Sequence, residues 1–186
     1  MASNIHKVFI SYHHCPEDEY YRKRFETLFV EDNEIIINKS VQIGDIDPNL
    51  KTETIRQKIR DEYLRDSSVT IVLIGKNTWQ RKHVDWEISS SIRDTTLNPR
   101  SGLLGIFLPT FPLTIDINGQ PDINKYTIPP RLFDNFECGY AKLYRWSESH
   151  YNVQNWIHKA FLDRHEKIPD NSRELFANNR TAEGWQ

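Results

Sequence analysis

Only two cysteines, Cys15 and Cys138, occur among the 186 residues, and they stand far apart. That scarcity excludes a disulfide-stapled scaffold, and no second Cys/His cluster follows at zinc-finger spacing. Long apolar runs are missing too, none approaching the roughly 18 residues that a membrane span requires. Neither sign of charge dominates: 24 Lys and Arg face 26 Asp and Glu, giving a net charge of -2 and a pI near 6.4. Such a balance offers no electrostatic footprint for nucleic acid or an anionic membrane. The charged stretches at 22–26 and 56–62 alternate in sign, as solvated helix faces do. No signal-peptide pattern, internal repeat or low-complexity tract is evident. The expectation is a soluble, reduced, cytoplasmic protein, too short for two full domains.

What is present is an alternation of short β-branched runs with amphipathic stripes. Strands are predicted at 7–12 (Lys-Val-Phe-Ile-Ser-Tyr), 34–38, 69–74, 102–109 and 143–146. Between them, Tyr21, Phe25 and Leu28 mark a helix over 17–28, and Ile55, Ile59 and Tyr63 mark another over 52–65. Ile88 and Ile92 face inward from a helix over 84–93, and Val153, Trp156, Ile157, Ala160 and Phe161 stripe a last one over 151–164. Residues 39–50, with Gly44 and Pro48, read as a loop. Residues 110–138 are rich in Pro, Asp, Asn and Gly and too long for an ordinary connection; they read as an insertion, part ordered and part lid. The chain therefore divides into a domain over 1–165, with its insertion at about 110–138, and a C-terminal arm or tail over 166–186.

This alternation implies an α/β, flavodoxin-like parallel sheet of five strands, helices on both faces, with the order 2-1-3-4-5. Ligands in such sheets bind beyond the carboxyl ends of the strands at the switch point, here between strands 1 and 3. The loops leaving those strands are 12–16 and 75–85, and Glu87 lies just past the second, where a helix is expected to open. Other occupants of this architecture fail on their motifs. A dinucleotide fingerprint, a P-loop and a Gly-x-Ser-x-Gly elbow are all missing. A phosphoacceptor receiver needs acids where this chain has His13-His14-Cys15 and Gly75. Those three neighbours invite a metal, but adjacent side chains do not readily converge on one ion, so none is expected. A histidine facing the site as a hydrogen-bonding group is the preferred reading.

The strand at 7–12 resembles the one that opens TIR (Toll/interleukin-1 receptor) domains. The block 75–88 is similar to their helix-leading motif, in which a Glu follows an aromatic residue four positions earlier. Glu87 takes the Glu position, His83 stands where the family commonly has Trp, and Trp86 immediately precedes the Glu. The long insertion and the His-containing strand end make the chain resemble the divergent TIR-like subfamily of Thoeris anti-phage defence, over roughly 7–164. The resemblance implies cleavage of NAD+ as a substrate, no separate cofactor, and conversion of the remainder into a cyclic ADP-ribose-type messenger. That diffusible nucleotide would activate a separate effector. Self-association on activation is implied as well.

One carboxylate suffices for that chemistry. Glycosidases use a second carboxyl group to protonate the leaving oxygen, whereas nicotinamide is already a pyridinium and leaves neutral. Glu87 would meet developing oxocarbenium charge or clamp a ribose hydroxyl, and a helix N-terminus would keep it ionised. The alternative is that Glu87 merely complements the helix dipole. Around it, Tyr12, His13, Trp79, His83 and Trp86 are the candidate substrate-binding residues. Tyr12 and Trp79 suit stacking on a ring. Trp86 either packs under the helix or lines the pocket, and His83 either repacks the loop or joins the site. Phe9 belongs to the core, and Arg81 and Lys82 either meet the pyrophosphate or are solvated. Two other readings remain open: a non-enzymatic TIR-like interaction module, and an enzyme resembling nucleoside 2-deoxyribosyltransferases, which also use a single Glu.

Overall fold

The computed structural model of the protein describes residues 5–29, 35–38, 47, 49–95 and 98–185. The first half runs β1 (His6–Ser11), α1 (Pro16–Phe29), β2 (Ile35–Asn38), α2 (Thr52–Lys58), β3 (Val69–Ile74) and α3 (Lys82–Ser91). The second runs β4 (Gly102–Phe107), β5 (Thr114–Ile115), β6 (Pro121–Asp122), α4 (Pro130–Glu137), β7 (Ala141–Arg145) and α5 (His150–Glu166). Most of the expected loop at 39–50 lies outside the described residues.

Five strands pair in parallel in the order β2-β1-β3-β4-β7, the doubly wound arrangement that the alternating pattern predicts. Every residue of β3 and β4 is buried, as continuous apolar runs require when both faces are covered. The period of two divides the core. Val69, Ile71 and Leu73 pack with Phe25 and Phe29 of α1 and with Val153 and Ile157 of α5. Val72 and Ile74 turn the other way, onto Val84 and Ile88 of α3 and Leu132 of α4. A third cluster joins Phe9, Ile55, Ile59, Leu64 and Trp86, which confirms Phe9 as core.

The expected helix over 52–65 does not stay α-helical. After Lys58 it widens into one π-helical turn, Ile59–Tyr63, closed by the Leu64 amide on the Ile59 carbonyl at 3.1 Å. The wider turn puts Ile59 and Leu64 in the same cluster, which a regular 3.6-residue repeat would not favour. Inside the insertion, α4 begins with Pro130 at its first turn and sends Leu132 and Phe133 into the core. The short β5–β6 hairpin stays exposed, with Gly119 at φ 77° in its turn.

Residues 168–185 form neither helix nor strand, yet they run along α3. The amide of Lys82 donates to Asn179 at 2.9 Å, Asn171 donates to the Ser89 carbonyl at 3.0 Å, and the Trp185 indole donates to the Ile128 carbonyl at 2.8 Å. Among the described residues no helix is long and apolar enough to cross a membrane.

Candidate functional site

β1 and β3 lie side by side at the switch point, and their carboxyl ends set the geometry. The last residue of β1, Ser11, is buried, and its hydroxyl donates to Oε2 of Glu87 at 2.5 Å. Glu87 itself is 0% exposed. It is the sixth residue of α3, not the opening one, because the helix begins at Lys82. The expected effect of a helix end on this carboxylate therefore loses its basis, since the dipole acts within the first turn. The acid that does occupy the first turn is Asp85. Asp85 is bound to Arg131 of α4 at 2.9 Å, both side chains buried, and it accepts the Phe176 amide at 3.0 Å.

Beyond Ser11 the chain bends into the loop that carries Tyr12, His13, His14 and Cys15. Tyr12 is nearly buried, and its hydroxyl donates to the Glu19 carboxylate. Burial, reinforced by Glu19, pushes the phenol well above its ordinary pKa. The Tyr12 carbonyl meets Nε2 of His83 at 3.0 Å. A carbonyl only accepts, so this nitrogen carries the proton. Burial lowers the His83 pKa to about 4, which makes its ring neutral near pH 7. The His14 ring completes a small stack, 4.4 Å from Tyr12 and 4.9 Å from His83 between centroids. An open cleft of about 350 Å³ is lined by Tyr12, His14, Cys15, Glu19 and Arg22, one residue away from Ser11.

His13 points elsewhere. Burial, then Arg81 and His14, lowers its pKa to about 4, and its Nδ1 is enclosed without a hydrogen-bond partner among the described residues. Beside it stands Asp18, from the first turn of α1, only 2% exposed. Its Oδ1 accepts the Thr110 hydroxyl at 3.0 Å, and burial raises its pKa. Donor atoms of His13, Cys15 and Asp18 all lie within 4.8 Å of one another. The three neighbours His13, His14 and Cys15 thus do not all meet at one point, as expected of adjacent side chains. His13 and Cys15 do converge, with His14 facing away, and Asp18 supplies the third donor.

The two candidate tryptophans are nearly enclosed. Trp79, in the turn Thr78–Gln80, is 3% exposed, and Trp86 is 5% exposed. The Trp86 indole donates to the Phe176 carbonyl at 2.8 Å, its ring packs with Phe9 and Ile59, and Lys82 Nζ stands 5.2 Å from it. Of the expected site residues, then, Glu87, Tyr12 and His83 surround the end of β1. Trp86 supports α3 from below.

Sequence reasoning missed Ser11 and Asp18, and it left open which of His13 and His14 faces the site. Ser11 looked like one more strand position, and Asp18 like a solvated first-turn acid. No sequence signal marks Asp18, although in the fold Gly75 makes its room, since a Cβ there would stand 2.2 Å from the Asp18 carboxylate.

With this geometry in view, the sequence matches the TIR-like domain of the Thoeris protein ThsB over residues 9–111, more than half of the chain. The chain belongs to that TIR-like family. The family acts in anti-phage defence, and the matched stretch contains Ser11, Tyr12, His13, Trp79, His83, Trp86 and Glu87. Elements α4, β7 and α5 lie beyond it. Among solved structures, the chain is also similar to the SEFIR domain of IL-17 receptor B. That likeness has 12% identity and a TM-score of 0.44 over 84% of this chain and 97% of the other. It is too distant to carry an argument.

Proposed function

We propose that this protein cleaves NAD+ between nicotinamide and ribose, with Glu87 as the catalytic carboxylate, and releases a cyclic ADP-ribose-type messenger for a separate defence effector. The observation that carries this reading is the carboxylate itself, buried at the switch point and held on one oxygen by Ser11. In the proposed step the ribosyl C–N bond breaks and its electron pair returns to the pyridinium nitrogen. Nicotinamide then leaves neutral, without a proton donor. Positive charge develops at the anomeric carbon, where Glu87 stabilises it. An adenine nitrogen or ribose hydroxyl of the same molecule captures the cation and closes the ring, a hydroxyl giving up its proton. Exclusion of water favours this closure over hydrolysis, and the enclosure by Tyr12 and His83 suits that task. Full burial of Glu87 also suits an enzyme that stays silent until a trigger or self-association opens the route to it.

The test compares nicotinamide release by wild type and by Glu87→Gln in cells challenged with phage. Gln keeps the size and still accepts from Ser11, so the fold should survive. The expected loss is at least about 100-fold, as for removal of a main electrostatic stabiliser. Equal rates in the two proteins, or no release by triggered wild type, would overturn the reading. Mass analysis of the nucleotide distinguishes a cyclised product from a hydrolysed one.

The same burial also favours a second reading, in which Glu87 is a structural carboxylate of a non-enzymatic interaction module. That reading requires Glu87→Gln to protect cells from phage as well as wild type does, with no nucleotide made.

A further inference from the structure

We infer that His13, Cys15 and Asp18 form a binding site for one divalent metal ion of the zinc class, at the carboxyl end of β1. The three donors come from a single short segment. His13 and Cys15 bring their donor atoms together, while the His14 ring lies against Tyr12 and His83. The first turn of α1 then brings Asp18 to them. Their donor atoms lie within 4.8 Å of one another. A tetrahedral ion with bonds of about 2.0–2.3 Å holds its ligands roughly 3.5 Å apart, so small side-chain rotations close the set.

Two further observations point to a ligand. Nδ1 of His13 is buried without a hydrogen-bond partner among the described residues, a state that native proteins rarely leave uncompensated. One oxygen of Asp18 is already fixed by Thr110, as outer-shell donors fix ligating carboxylates. Gly75 leaves the room in which that carboxylate stands. The Asp18 amide also lies within hydrogen-bonding reach of the Cys15 sulfur, so Cys15 caps α1. Cys15 and Thr78 also stand within hydrogen-bonding reach of the Asp18 carboxylate, but none of these contacts accounts for the enclosed His13 nitrogen.

The donor set selects the metal. One imidazole nitrogen, one sulfur and one carboxylate oxygen suit zinc, whereas magnesium and calcium prefer oxygen alone. Thiolate and carboxylate together balance the double charge of the ion, and binding releases the thiol proton to solvent. Three protein ligands leave a fourth position for water or an oxygen of a bound anion. This site does not depend on Glu87 being catalytic.

The experiment uses untagged full-length protein, stripped with EDTA, desalted and titrated with Zn²⁺ and separately with Co²⁺. The expected result is uptake of one equivalent, with thiolate-to-cobalt charge-transfer absorption in the near ultraviolet. Cys15→Ser and Asp18→Asn should each weaken binding by at least about 100-fold, while His14→Gln binds as wild type. Circular dichroism checks the fold of each variant. If Asp18→Asn does not fold, Cys15→Ser and His13→Gln carry the comparison. No stoichiometric uptake, or uptake unchanged in the folded ligand variants, would overturn the inference. Neither readout involves nicotinamide, so failure here leaves the NAD+ reading standing, and the reverse holds equally.

Discussion

At Gly75 a methyl group has nowhere to go, because the carboxylate of Asp18 fills the position that a Cβ would take. Gly75→Ala should therefore destabilise the protein by roughly 1–3 kcal/mol, the usual cost of overpacking a filled site. Pairing it with Asp18→Ala isolates the cause, since the colliding group is then gone. Urea unfolding of wild type, the two single variants and the double variant should show the glycine penalty shrinking in the Asp18→Ala background. An unchanged penalty would place the strain in the backbone instead. The same residues show what the sequence could and could not convey about the site. Glu87 was legible because its position follows from a strand, a loop and a helix in succession. Its partner Ser11 was not, being 76 residues away and unremarkable within a strand. Asp18 needed two elements brought together before its surroundings could be known.

Helix α3 is held at its first turn by a buried ion pair rather than by a cap. No side chain caps it at Arg81, and Asp85 binds Arg131 of α4 instead. Arg131 also donates to Asn171 at 2.8 Å and to the Glu174 carbonyl at 3.1 Å, so one guanidinium joins α3, α4 and the C-terminal arm. Arg131→Ala leaves Asp85 as an uncompensated buried charge, and the expected cost is about 3–5 kcal/mol. The arm should loosen with it, so trypsin should cut faster at Arg173 and Arg180 than in wild type. Equal cleavage rates would show that the arm is held by its other contacts. At this scale the sequence was generous with strands, whose apolar runs are continuous, and less so with two helical features. The spacing of Ile55, Ile59 and Tyr63 fits an α-helix and a π-turn alike. The pair Pro129-Pro130 reads as a loop, although a proline at the first helical position opens α4.

For the molecule as a whole, acid is the expected weakness. His6 at the start of β1 lies against His158 and Phe161 of α5, 3.1 Å from the first of these. Burial, then His158 and Arg164, lowers its pKa below the ordinary 6.5. The unfolded chain therefore takes up a proton as pH falls through 6.5, while the folded chain resists until its own lower value. The stability at stake is fully present above 6.5 and is lost as pH drops toward the folded value. Urea midpoints should fall between neutral pH and about pH 5, and His6→Gln should flatten part of that fall. His13, His14 and His83 are lowered too, so the variant keeps the remainder. A variant curve parallel to wild type would remove His6 from the account.

The arm that lies along α3 sets a limit on how this protein can be cut. The family match stops at residue 111, yet Asp85 within it finds its counter-charge in Arg131 and one of its amide donors in Phe176. A fragment trimmed to the recognisable stretch would carry the proposed reactive acid on a helix stripped of its anchors. Expression boundaries chosen by homology alone would therefore yield a piece less stable than the intact chain, whatever chemistry that chain performs.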